Sequence, residues 1–175
     1  INGGMSDAEE DDAASLFDLS GTDEYRVVIF YLNPEDKKEK NGIAQKDETK
    51  NLEKEMYQYL PKEHTLCNTN YILYLYNEKD WKVKKDFGNI LKEIHKDTQD
   101  SLTRRNEKFE LLIGIGKSVK GYHGLKDSFK DSKAALEYIG LIREATGEKT
   151  KSIVDCAKLG FFQIFTNIND KEELR

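Results

Sequence analysis

Three groups of residues in this chain are of the types from which binding or catalytic chemistry is built. The first is Gly114-Ile115-Gly116-Lys117-Ser118, where glycines beside a lysine and a hydroxyl could curl backbone N–H groups round a phosphate. The spacing is wrong for it. A phosphate loop needs a glycine five positions before its Gly-Lys-Ser, and that position is Leu111. The dinucleotide fingerprint needs a third glycine at position 119, which is Val119. Ser118 has neither an assignable base nor a nucleophile-elbow sequence, so it reads as a turn or helix-start residue. The second group is His64, His95, His123, Cys67 and Cys156. The histidines fall on separate elements without metal-ligand spacing, and His95 reads as a core or rim histidine. The cysteines form no C-x-x-C pair and read as reduced, buried thiols. The third group is Asn68, Asn70 and Lys117, polar residues beside predicted strand ends whose simplest reading is that of surface turn positions.

The elements that must position these residues follow from hydrophobic periodicity. Residues 109–115 form an apolar run bounded by charges and glycines, which predicts a strand buried on both faces. Leu125, Phe129, Ser132, Leu136 and Ile139 recur at helical spacing and predict a covering helix, with Ser128, Ser132, Ala134, Ala135 and Gly140 small enough to let it lie close. Upstream, Ala13, Leu16 and Phe17 predict a short helix at the domain edge. Residues 25–32, YRVVIFYL, predict a central strand ended by Asn33-Pro34. A helix is expected over 44–60, anchored by Leu52, Met56, Tyr59 and Leu60 and stopped by Pro61. Strands over 64–67 and 71–76 make a hairpin through Asn68-Thr69-Asn70, where asparagine suits positive φ. A long helix over 80–102 carries Trp81, Val83, Phe87, Ile90, Leu91, Ile94 and His95 on one face. Residues 152–155 add a short edge strand and 159–168 a last helix. This order predicts an α+β domain of ferredoxin-like or nucleotide-cyclase-like arrangement, a mainly antiparallel sheet packed with helices.

Composition narrows the function classes. At 175 residues with 37% hydrophobic content the chain suits one domain with a proper core. The net charge of -5 is located at the start: Asp7, Glu9, Glu10, Asp11 and Asp12 lie within the first fifteen residues, which carry no Lys or Arg, so 28 acidic and 28 basic residues remain elsewhere. A domain with balanced charge is a poor binder of nucleic acid by itself. Residues 1–12 read as a disordered acidic tail or expression remnant, and 13–168 as the domain. Residues 169–175, with Asn169 three before Glu172, read as the start of a further helix cut short. No apolar run is long enough for a membrane span and no signal peptide is visible, which predicts a cytoplasmic protein.

The run IGIG, a short loop, GLKDSFKDSKAALEY and then SIVDCAKLGFFQIF resemble the C-terminal half of the GGDEF-like domain of PucR/CdaR-type bacterial transcriptional regulators, the similarity being clear over 109–165 and extending weakly back to residue 13. The resemblance implies a GGDEF fold and a non-catalytic sensing and dimerising module, relaying a signal to a C-terminal DNA-binding helix-turn-helix that this sequence does not contain. Enzymes of that fold condense two GTP molecules and need carboxylates at the end of the first strand and in the hairpin to hold divalent cations. Here the hairpin reads Cys67-Asn68-Thr69-Asn70-Tyr71-Ile72 and the strand ends in Tyr31-Leu32-Asn33, with Glu35 and Asp36 beyond Pro34. The expectation is therefore no cyclase activity, no cofactor and no metal. Two alternatives stay open: a degenerate nucleotide-binding or cyclase-like domain, and a free-standing small-metabolite sensor whose pocket lies near Asn68, Asn70 and Lys117, taking a purine breakdown product or a sugar acid. The expected partners are a second copy of the chain, a small-metabolite effector, and DNA only through the helix-turn-helix.

Overall fold

A computed structural model describes Asp11, Ala14, Ser15 and residues 17–36, 42–80, 86–147 and 151–159. Its centre is β1 (Glu24–Pro34), whose β-branched and aromatic run pairs antiparallel with β3 (Tyr71–Asn77) on one side and with β4 (Phe109–Ile115) on the other. β2 (Thr65–Cys67) flanks β3 and the parallel strand β6 (Ile153–Asp155) flanks β4, giving the order β2-β3-β1-β4-β6. The α+β class and the mainly antiparallel sheet are as the sequence predicts.

Period-two alternation sends Val28, Phe30 and Leu32 to one face of β1, opposite Ile115, Ile113 and Leu111 of β4. On that face helices α1 (Gly42–Met56) and α2 (Phe87–Arg104) contribute Leu52, Met56, Leu91, Ile94 and Leu102 to the main core. Phe30 and Ile113 are fully buried, each worth about 1.5–3 kcal/mol of transfer free energy. Between the helices Arg105 bridges the buried Glu48 and, at 3.6 Å, Glu55. Helix α3 (Leu125–Thr146) covers β1 and β4 on the opposite face and ends at Gly147, which takes the left-handed conformation at φ 68°.

The α3–β4 contact is set by glycine. A methyl group on Gly114 would stand 2.3 Å from the Ser132 carbonyl oxygen, and one on Gly116 would stand 2.0 Å from that of Ser128. The buried stripe of α3 is accordingly Ser128, Ser132, Ala135 and Ile139. This is the predicted stripe turned part of the way round the helix, with Leu125, Phe129 and Leu136 left half-buried on its flank. Ala134 and Gly140 are exposed and play no part in the close approach.

The Gly-Lys-Ser turn is a bulge rather than a plain connection. β4 resumes as a two-residue strand, β5 (Val119–Lys120), paired with Glu24 and Tyr25. Two residues of β1, Arg26 and Val27, oppose three, Gly116, Lys117 and Ser118, between the two ladders. The buried Ser128 hydroxyl enters there, donating to the Lys117 carbonyl at 2.8 Å and accepting from the Val27 N–H at 2.9 Å. Ser118 is exposed and precedes β5, so it starts no helix.

Other expectations shift at element ends. Helix α1 stops at Met56, and Pro61 precedes a 3-10 turn over Lys62–His64. Asp80 is not helical: Asn77 accepts from the Lys79 N–H and holds a turn there, while α2 begins at Phe87. Ala14 rather than Phe17 is buried near the start; Phe17 is 62% exposed. The expected edge strand is β6. Trp81, Val83, Ala13, Leu16, the segment 169–175, the tail apart from Asp11 and the last helix apart from Leu159 lie outside the described residues.

Substitutions at and beside the α3 contact test this packing. Gly116→Val should destabilise the domain by about 3 kcal/mol through overpacking, whereas Gly140→Ala, with nothing near its added methyl, should stabilise it by about 0.5–1 kcal/mol; urea unfolding reads both. Ser128→Ala strands the Val27 N–H and should cost about 1–3 kcal/mol in the same assay.

Candidate functional site

The hairpin end of the sheet brings together the C-terminal half of β1, the start of β3 and the flank of α3. Tyr31 and Tyr71 are cross-strand partners, and Asn33 opposite Glu110 continues the α3 side of β1. Lys133, Glu137, Gly140 and Arg143 follow at spacings of four, three and three, so they share one flank of α3 beside its buried stripe. Between these elements lies a cavity of about 400 Å³ with Leu112, Leu136 and Ile139 as apolar lining. Its volume falls in the range of small-molecule sites.

The polar groups of the cavity are held in different ways. Arg143 is fixed: it donates to both Glu110 carboxylate oxygens at 2.6 and 2.7 Å and to the Lys151 carbonyl at 3.0 Å, while Ser152 donates to Glu110 at 3.0 Å. The Glu110 carboxylate beside it raises the Arg143 pKa, so the cation is permanent. Lys133 is exposed and lies over the Phe129 ring, its Nζ 5.7 Å from the centroid. Tyr31 and Tyr71 are half-buried and give the cavity an aromatic lining.

The hairpin tip abuts this cavity through Tyr71. Asn68 shapes the tip by accepting from the Thr69 N–H at 2.6 Å and donating to the Tyr71 hydroxyl at 2.9 Å. Neither Asn68 nor Asn70 takes positive φ, so the turn depends on this side-chain bonding rather than on a left-handed backbone. Asn70 is exposed on the same tip. Lys117 is not part of this cluster. Gly116 bonds Val27 whereas Tyr71 pairs with Tyr31, and at about 3.3 Å per residue those four steps along β1 separate the two places by roughly 13 Å.

The carboxylates nearest the strand end, Glu35 and Asp36, are exposed beyond Pro34, where the Glu35 N–H donates to the Lys108 carbonyl. Gln45 of α1 donates to the Leu32 carbonyl at 2.8 Å and occupies the position beside the strand end. Among the described residues no group of three or more His, Cys, Asp or Glu is arranged to hold a metal ion. His64, His95 and His123 sit on a 3-10 turn, on α2 and on the turn before α3, so the fold leaves them apart. His95 is half-buried, and burial lowers its pKa.

Of the residues expected from the sequence, Asn68 and Asn70 lie at the hairpin end beside this cavity and Lys117 lies apart from it, while Tyr31, Tyr71, Lys133 and Arg143, which line it, were not among them. The spacing of Lys133, Glu137, Gly140 and Arg143 was a usable signal, because a flank holding both a glycine and fixed charge is not a plain solvent face.

The sequence profile of the GGDEF-like domain matches residues 2–138 of the chain. No curated protein and no solved structure matches it. No helix among the described residues is long and apolar enough to cross a membrane.

Cys67, expected to be buried, is half-buried beside the hairpin tip, and both cysteines are free thiols. Burial, and then the Glu53 carboxylate, push its pKa up to about 11. The thiol therefore stays protonated through pH 9, and only the thiolate attacks disulfide reagents. Titration with an aromatic disulfide between pH 7 and 11 should show slow labelling of Cys67 that accelerates toward pH 11, and Glu53→Gln should move that rise to lower pH.

Proposed function

The chain belongs to the GGDEF-like domain family, and on that basis we propose that it is a non-catalytic regulatory domain, a sensing and dimerising module of a PucR/CdaR-like transcriptional regulator. The observation that carries this reading is the chemistry of the hairpin end. Two-metal nucleotide condensation requires carboxylates converging on the phosphates. The strand end and the hairpin tip present Asn33, Asn68, Thr69 and Asn70 instead, with Gln45 against the Leu32 carbonyl. Beside them the cavity combines tyrosine and leucine lining with the exposed Lys133 cation, a composition suited to a small organic acid with a flat or apolar body. Purine breakdown products and sugar acids are of this kind.

In this reading the domain forms a homodimer in the cytoplasm. An effector in the cavity biases the dimer geometry and thereby the spacing of two helix-turn-helix units carried elsewhere in the same regulator. A degenerate nucleotide-binding domain is the second reading. It is favoured only by the family's fold, and the amide-rich hairpin argues against it.

Calorimetric titration of the chain separates the two. Purine catabolites or sugar acids should bind, and Lys133→Glu should weaken that binding about tenfold, the effect of about 1.4 kcal/mol. GTP with Mg²⁺ or Mn²⁺ should show no turnover, and measurable turnover would overturn the non-catalytic reading.

A further inference from the structure

Among the described residues, those of α3 cover only half of their side of the sheet. Helix α3 packs on β1 and β4, while β3 and the outer strand β2 extend past it. Leu66 of β2, Leu73 and Leu75 of β3 and Val27 of β1 face this side, and with Leu125 and Phe129 of α3 they enclose an open trough of about 670 Å³. Phe17 and Leu66 stand on it 62% exposed, two of the four large apolar side chains exposed among the described residues.

The charges at the trough are arranged in a self-complementary way. Exposed Glu63 lies in the turn leading into β2, on one wall, and exposed Lys126 lies in the first turn of α3, on the other. A twofold axis running along the trough would set each wall of one copy against the opposite wall of the next, so the wall bearing Glu63 would face the wall bearing Lys126 twice. A partner with one sign of charge along its docking face would match only one wall.

We propose that this trough is the surface through which two copies of the chain associate. Phe17 and Leu66 of each copy enter the trough of the other, and Glu63 pairs with Lys126 twice across the interface. The inference rests on the dimeric reading above and specifies the face that reading leaves open. Its apolar floor supplies the buried centre and its charged walls the polar rim that protein interfaces have.

The test is sedimentation equilibrium of the full chain and three variants, with circular dichroism as the check on folding. Leu66 is exposed, so Leu66→Arg should leave the fold intact and weaken dimerisation at least about tenfold, as loss of a central apolar anchor does. Glu63→Lys should weaken it about threefold or more, and Glu63→Lys combined with Lys126→Glu should return it to within about twofold of the unchanged protein, since rim pairs act mainly by sign. A dimer whose dissociation constant ignores all three variants overturns this assignment and leaves the dimeric reading standing. A monomer at every concentration overturns both. A monomer that binds an apolar dye, and loses that binding on Leu66→Arg, gives the trough to a different occupant and likewise overturns the proposal.

Discussion

The close seating of α3 on β4 is the constraint from which the rest of this side of the domain follows. With Gly114 and Gly116 beneath them, the carbonyls of Ser132 and Ser128 come so near the strand that a methyl group could not be interposed. A helix seated at that distance can bury only small residues where it crosses the two glycines, with Ile139 buried farther along. Its larger apolar residues are forced to the flanks, where Leu136 lines the cavity at the hairpin end, Leu125 lines the trough, and Phe129 lines both. The polar hydroxyl of Ser128 is tolerated in the contact because both its donor and its acceptor are used within the bulge.

Legibility in the sequence followed how local the cause was. Strands β1, β3 and β4 were readable because residues buried on one or both faces must be apolar whatever lies across from them. The phase of α3 was not. A stripe of leucine and phenylalanine looks like the buried one until it is known that the strand opposite has glycines, so that serine and alanine belong there instead. Helix α2 was started too early at Asp80, a residue that can open a helix, whereas the turn built on Asn77, bonded to Lys79 and to Asp23, extends through Asp80. The candidate site divided in the same way. Asn68 and Asn70 are brought together by a tight hairpin, a local cause that the sequence displays. Lys117 was grouped with them only because it also follows a strand, and strand direction, which sends β4 antiparallel to β1, puts it at the other end.

Three guanidinium–carboxylate pairs join elements of this domain. Arg143 ties α3 to β4 and to the segment before β6. Arg26 joins β1 to β6 by bonding Asp155 at 2.8 Å and the Gly116 carbonyl at 3.0 Å. Arg105 ties α2 to α1 through Glu48. Each of these carboxylates already has a guanidinium partner, and breaking such a pair leaves an uncompensated charge that is partly or wholly buried. Holding a metal ion would take any of these three carboxylates away from a contact between elements.

The cavity and the trough lie on the two ends of the same α3 flank, and Phe129 is the residue they share. On the reading proposed for each, a ligand in the cavity and a second copy on the trough act on one side chain and on the seating of one helix. Their binding free energies are then linked, and the linkage must run both ways: whatever factor the ligand applies to dimer affinity, dimerisation applies to ligand affinity. The rigid seating of α3 on glycine makes a gradual deformation costly, because a tightly packed contact yields by shifting as a unit. A sensing domain of this build would signal through a small displacement of α3 along β4, with the small-residue stripe as its track and Phe129 as the part felt at both surfaces.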